Sequence, residues 1–197
     1  MKSRIILISL IFLIFTGCVG ISSKGIFGTG VSVALDPRSL GTQIDDSVMQ
    51  KNLATRLIIR DKSYLISLST KVLDGRIFLT GKIKDPEEKL HITKLAWETK
   101  GVRSVKNAIE IKGQSNFKNT AKDILITSQL RTALIFNKLV KSGNYTLETI
   151  NQTIYIFGIA MSDEEKKKVI EEAKKIYDVK EIIPTIYLVS ELSRNKI

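Results

Sequence analysis

A single cysteine, Cys18, and a single histidine, His91, stand in 197 residues. One thiol cannot close a disulfide within the chain, so no internal bridge holds the fold in an oxidising compartment. One histidine, with no cysteine or second histidine to join it, lacks the spacing of a zinc site. It lies near the start of a helical stretch and reads as a solvated side chain. The apolar run at Ile5 to Phe15, "IILISLIFLIF", is interrupted only by Ser9. It is shorter than the about 20 residues that span a bilayer comfortably as a helix. "GIFGTG" (Gly25 to Gly30) lacks the preceding strand and following helix that give a glycine-rich phosphate loop its meaning. It reads as flexible tether. The carboxylates of "DEEKKKVIEEAKK" (Asp163 to Lys175) are interleaved with lysines. They describe an ion-paired, solvated helix face rather than a catalytic dyad. Nothing argues for an enzyme, and no cofactor or metal is called for.

What is present begins at the N-terminus. Lys2 and Arg4 precede the apolar run, and the small residues Thr16 and Gly17 follow it, just before Cys18. A basic start, an apolar middle and a small-residue end describe a secretory signal peptide over residues 1–17. "FTGC" resembles the bacterial lipobox, with Phe15 where leucine is usual. The resemblance implies that the Cys18 thiol is acylated and becomes the lipid-bearing N-terminus after cleavage. Several acyl chains hold a protein to a membrane firmly, at about 0.8 kcal/mol per buried methylene. Val19 follows the cysteine. The lack of an aspartate there resembles outer-membrane rather than inner-membrane lipoproteins of enteric bacteria, so the expectation is a lipid-anchored, periplasm-facing protein of the outer membrane.

The net charge is +11, and removing the signal takes away two positive charges and no negative ones. A basic surface attracts polyanions such as anionic lipid, nucleic acid or lipopolysaccharide. An exported lipoprotein rarely meets nucleic acid, so lipid headgroups lead as partner.

The remainder repeats itself at a constant offset of 77. "DGRIFLTG" (Asp74 to Gly81) aligns with "NQTIYIFG" (Asn151 to Gly158), and "GVRSVKNAIEI" (Gly101 to Ile111) with "DVKEIIPTIYL" (Asp178 to Leu188). Asp46 pairs with Asp123, Leu53 with Leu130, and Leu57 with Leu134. Two copies at this period are a domain duplication, not a solenoid. Each copy opens with a helix whose apolar residues recur at i, i+4 and i+8: Met49, Leu53, Leu57, then Ile126, Leu130, Leu134. Two strands follow, joined by turns at "DG" and "NQT". A second helix opens at "DPEE" or "SDEE", with a capping residue and acids that favour a helix N-terminus. Its buried stripe is Ile92, Ala96, Thr99, or Val169, Ala173, Ile176. A last strand closes each copy. The order αββαβ, with helices on one face of a small sheet, is an α+β sandwich. Trp97 has no aromatic counterpart and is expected in a local packing or interdomain contact.

The "G-x-[IV]-x-[LI]-x-G" strand and the "GV-x-x-V-x-N" of Gly101 to Asn107 resemble the BON domain. Two copies behind a lipobox resemble the dual-BON outer-membrane lipoproteins. "DPRSLGTQIDD" (Asp36 to Asp46) and "DILITSQLR" (Asp123 to Arg131) are similar to the starts of their two domains. The resemblance implies two tandem αββαβ domains, each a three-stranded mixed sheet packed against two helices. The boundaries expected are a tether over 18–42, a first domain over 43–112, a linker over 113–119, a second domain over 120–190 and a tail over 191–197. The second copy departs from the pattern at Asp178 and Pro184. Proline at such a position suits an edge or strand entry.

The two first helices differ on the side away from their own core. Ile124, Ser128, Arg131 and Ile135 fall on one stripe, well round the helix from the core stripe, with Leu125 beside it. The matching residues of the first copy, Ser47, Lys51, Ala54 and Ile58, are more polar. An exposed apolar stripe marks a binding surface, for a membrane or for a protein. Between residues 112 and 142, Lys112, Lys118, Lys122, Arg131, Lys138 and Lys141 stand against Asp123 alone. An apolar stripe with a basic flank is the pattern of an interfacial helix on anionic lipid. The resemblance implies the same ligand and helix, in a family whose members can carry tryptophan where this chain has Leu125. The expected lipid-binding set is Ile124, Leu125, Ser128, Arg131, Ile135, Lys122 and Lys141, with Gly158 counted beside them. Two functions follow. One is a non-enzymatic protein that binds anionic phospholipid and supports outer-membrane integrity. The other is an envelope adaptor for an outer-membrane assembly factor or a regulator of cell-wall hydrolases.

Overall fold

The computed structural model describes residues 36–111 and 117–193. The expected signal peptide, Cys18, the glycine-rich stretch, most of the linker and the last four residues lie outside that range. In the first domain, α1 (Leu40–Arg60) leads through a one-turn helix α2 (Tyr64–Ser67) to β1 (Leu68–Leu73) and β2 (Arg76–Ile83), then α3 (Pro86–Trp97) and β3 (Ser104–Ile111). The second domain repeats the order. It runs α4 (Phe117–Phe136), a 3-10 turn at Ser142–Asn144, β4 (Tyr145–Ile150), β5 (Thr153–Ala160), α5 (Asp163–Lys174) and β6 (Glu181–Leu188). In each sheet the middle strand pairs antiparallel with the strand before it and parallel with the strand after the helix. The registers coincide at the 77-residue offset: Leu68 faces Gly81 as Tyr145 faces Gly158.

The helix starts follow from their caps. Ser39 accepts from the Thr42 amide, Asp85 from Glu87 and Ser162 from Glu165, each satisfying a donor that helix geometry leaves open. α1 therefore begins at Leu40, inside the stretch expected to be tether. Ordered contacts start earlier still, because Arg38 bridges Asp36 and Asp46, at 2.6 Å to each.

Asp46 and Asp123 tie each first helix to its own hairpin. Asp46 accepts from the amides of Asp74 (2.6 Å) and Gly75 (2.8 Å). Asp123 accepts from those of Asn151 (2.9 Å) and Gln152 (2.8 Å). All four turn residues have positive φ, at 54° and 73° in the first copy and 51° and 68° in the second. Two left-handed residues in a row are the backbone a tight hairpin requires, and a carboxylate below the turn holds their amides.

Each domain has its own core. Leu53, Leu57, Ile77, Leu79, Ile92, Ala96 and Ile109 fill the first. Leu130, Leu134, Ile154, Ile156, Val169, Ala173 and Ile186 fill the second. A third cluster joins Phe78 to Ile150, Tyr155 and Phe157, with Ile183 and Tyr187 against it. The two sheets thus pack back to back, and the middle strands are buried on both faces. Polar contacts close the rim: Lys82 Nζ donates to Asn151 Oδ1 at 2.7 Å, and Ser69 Oγ to Glu148 at 3.1 Å. The Arg76 guanidinium lies over the Tyr187 ring, 4.1 Å from its centroid, a favourable contact with the ring face. Asp74, fully buried, pairs with Arg76 and Arg103 and accepts from the Ser193 amide and hydroxyl. Trp97, expected in a packing contact, is exposed instead at the end of α3.

Candidate functional site

The rotation of α4 is fixed from below. Ile126, Leu130 and Leu134 are sunk in the core. Asp123 grips the hairpin, Thr127 Oγ1 donates to Thr149 Oγ1 at 2.7 Å, and just past the helix Asn137 Nδ2 donates to Glu172 at 3.0 Å. With that face committed, helical periodicity turns Ile124, Leu125, Ile135 and Phe136 outward. They are 63%, 58%, 61% and 80% exposed. Ser128 and Thr132 fill the arc between them, Gln129 borders it past Phe136, and all three are exposed. The first domain therefore does not cover this stripe. Among the described residues of α4 the one carboxylate is Asp123, which is buried and held by the hairpin, so the outer arc carries no negative charge. Each aliphatic side chain left in water forgoes about 1.5–3 kcal/mol of burial.

Arg131 lies at the Ile124 edge of this arc, exposed, with no ion-pair or hydrogen-bond partner among the described residues. Lys122 lies beyond the Leu125 edge, half-buried, and pairs with Asp178 at 2.8 Å. The Asp178 hydrogen bond and charge raise the Lys122 pKa and keep it cationic. Lys141 is exposed at the 3-10 turn, and its backbone N–H donates to Glu165 at 2.7 Å. Gly158 does not join them. It is buried in β5, where an added Cβ would meet Tyr145 Cδ1 at 2.4 Å and Asn144 O at 2.8 Å. Its counting among lipid contacts is corrected: its role is to admit the Tyr145 ring. The structure thus gathers Ile124, Leu125, Ser128, Arg131 and Ile135 on one surface and adds Phe136, with exposed Leu139 just beyond the helix.

The first domain has an outward stripe of its own that the sequence comparison passed over. Leu40, Ile44 and Val48 of α1 are exposed at i, i+4 and i+8. Asp45 stands exposed beside them, which separates this face from the carboxylate-free arc of α4. His91 is exposed on α3.

The BON domain model matches residues 45–113 and again 122–187. The chain is 32% identical over 123 residues to an uncharacterized protein of Anaplasma centrale, covering 62% of this chain and 82% of that one. It is 28% identical to the outer membrane lipoprotein DolP of Haemophilus influenzae, covering 92% of this chain and 93% of that one. It is 22% identical to the osmotically-inducible protein Y of Escherichia coli, covering 78% of this chain and 77% of that one. With two copies of the domain, matching sheets in the same register and near full-length likeness to a DolP protein, the chain belongs to the BON-domain family, in its dual-domain, DolP-like branch.

Proposed function

We propose that this protein is a non-enzymatic envelope lipoprotein, anchored through Cys18 to the outer membrane and facing the periplasm, that binds anionic phospholipid through α4 and supports outer-membrane integrity. The observation that carries the reading is the outer arc of α4: four large apolar side chains in water, no carboxylate among them, and basic residues on both edges. A surface of this kind lowers its free energy at an anionic interface, where apolar groups leave water and cations meet headgroups. No helix among the described residues is long and apolar enough to cross a membrane, so the attachment proposed is the acyl anchor together with α4. The likeness to the outer membrane lipoprotein DolP of Haemophilus influenzae supports the location.

Vesicle flotation of residues 19–197 tests it, since both cores lie in one compact unit beginning at Asp36. The protein is expected to float with vesicles containing phosphatidylglycerol and not with phosphatidylcholine alone, and to bind less as salt rises, because screening weakens exposed charges. Ile124→Asp with Ile135→Asp is expected to abolish flotation and leave the thermal midpoint nearly unchanged. Leu130→Asp, which buries an unpaired charge, is expected to unfold the domain. Wild-type protein that ignores anionic vesicles sinks the reading and turns the stripe over to a protein partner, such as the outer-membrane assembly machinery.

A further inference from the structure

Leu65 and Ile66 are the middle residues of the one-turn helix α2. Tyr64 before them is buried and donates its hydroxyl to Glu88 at 2.6 Å. Glu88 in turn receives the Arg60 guanidinium at 2.7 Å. The Arg60 and Tyr64 hydrogen bonds hold the Glu88 carboxyl down to about 2, so it stays ionised and the knuckle stays fixed. The next two side chains have nowhere to go but out: Leu65 is 68% and Ile66 91% exposed.

Ile66 does not stand alone. It lines a groove of about 600 Å³ together with Ser67 and Lys82 of its own domain and Ile124, Ser128 and Arg131 of α4. Two carboxylates line it as well: buried Asp123, held by the hairpin amides, and half-buried Glu148, which accepts from the Ser69 hydroxyl. The duplication supplies an internal comparison. At the 77-residue offset, Leu65 and Ile66 become Ser142 and Gly143, Ile124 corresponds to Ser47, and Arg131 to Ala54. The equivalent groove, between α1 and the 3-10 turn, is about 180 Å³ and is lined by Asp36, Pro37 and Arg38, whose guanidinium reaches Asp46. One groove is small, and residues 36–38 put an ion pair in its wall. The other is larger, and two unrelated elements have each replaced polar or small residues with large aliphatic ones at its rim.

We propose that the membrane-facing surface is bipartite, with Leu65 and Ile66 of the first domain entering the same anionic phospholipid surface as Ile124 and Ile135. The inference rests on the lipid reading of α4. Charge selects the occupant: Arg131 at this groove has no partner among the described residues, α4 shows no exposed carboxylate, the groove's own carboxylates Asp123 and Glu148 are hydrogen-bonded within the protein, and the chain is strongly basic. The apolar side chains are separate points with Ser67 and Ser128 between them, which suits a fluid interface that closes round each point. The back-to-back packing of the sheets then has a functional use, because it holds both insertion points in one compact unit.

The test uses residues 19–197 and vesicles of phosphatidylcholine with phosphatidylglycerol. Ile66→Asp is expected to weaken binding by about tenfold or more, as removal of one inserted aliphatic side chain does, with the thermal midpoint kept. In a Trp97→Phe background, Ile66→Trp is expected to blue-shift on vesicle addition and to be quenched by brominated phospholipid. Gly143→Trp, at a position where an added Cβ meets nothing within 4 Å, is the matched control and is expected to do neither. If Ile66→Asp binds as wild type while Ile124→Asp with Ile135→Asp does not, the bipartite surface is overturned and the α4 reading stands. Equal quenching at positions 66 and 143 also overturns it. If the wild type binds no anionic vesicle, both readings fall together.

Discussion

Phe78 of the first domain and Phe157 of the second lie with ring centroids 4.5 Å apart and planes inclined at 35°. Neither belongs to the core of its own domain. Both point from the reverse faces of the middle strands into the seam between the sheets.

The seam should therefore carry a measurable share of the stability. Phe78→Ala opens a cavity there, at a cost of about 3–5 kcal/mol. Calorimetry is expected to show the thermal midpoint falling by roughly 6–20 °C, and both domains responding together. A second domain that melts at its wild-type temperature in this variant would show that the seam couples nothing.

Asp74 predicts an acid sensitivity. Burial pushes its carboxyl pKa up, but the Ser193 hydroxyl and amide, with Arg103 and Arg76, outweigh burial and hold it below the ordinary carboxylate value. A depressed folded pKa means that the unfolded chain binds the proton more readily. Its contribution is full at neutral pH and is lost as pH falls below about 4. Asp74→Asn keeps the size and tolerates the left-handed backbone, yet removes the charge between two arginines. It is expected to cost about 2–4 kcal/mol at pH 7 and much less at pH 2, so the two unfolding curves converge in acid. A constant difference at all pH values would contradict this account.

The repeated glycines Gly81 and Gly158 should each be intolerant of one methyl group, for different reasons. At Gly81, φ is +130° and an added Cβ would sit 2.2 Å from Ser67 O. At Gly158 the backbone is ordinary, and an added Cβ would meet the Tyr145 ring first, at 2.4 Å, and the Asn144 carbonyl oxygen at 2.8 Å. Gly81→Ala and Gly158→Ala are each expected to cost about 2 kcal/mol or more in chemical denaturation. Because Tyr145 fills the space, Gly158→Ala paired with Tyr145→Leu is expected to recover part of the loss. No such recovery is expected at Gly81, where the nearest obstruction is the Ser67 carbonyl oxygen and the backbone is left-handed; at Gly158 the Asn144 oxygen keeps the recovery partial.

The proposed anchor has its own readout. Cys18→Ala is expected to leave an unprocessed precursor that takes up no labelled palmitate in the cell. Equal labelling of variant and wild type would remove the lipobox.

The helices, the duplication and the outward placing of Ile124 and Ile135 were legible in sequence because helical period and a 77-residue offset are local or self-referential signals. The pairing of Asp46 with Asp123 was visible as well, but not its purpose, since each carboxylate serves amides 28 residues away. The back-to-back seam was missed, although a trace of it exists. "IFL" and "IYIFGIA" are unbroken apolar runs, and a middle strand covered on both sides needs no alternation. Ile66 was not legible at all. In a one-turn helix, direction is set by the Tyr64–Glu88 contact rather than by period. Gly158 was misplaced because a glycine at a strand end says that something comes close, not what it is.

The seam has a consequence for the order in which the protein is made. The first domain is complete at Ile111, but the residues that cover Phe78 lie in β4, β5 and β6, the last of which ends at Leu188. Synthesis at about 5–20 residues per second, with domains folding as they emerge, leaves that sheet bare for several seconds on the ribosome. During that interval the half-made protein presents Phe78, with Leu73 and Ala108 beside it, to its surroundings. The second domain thus serves the first as its cover, and a chain cut short after Ile111 is expected to associate through the uncovered face.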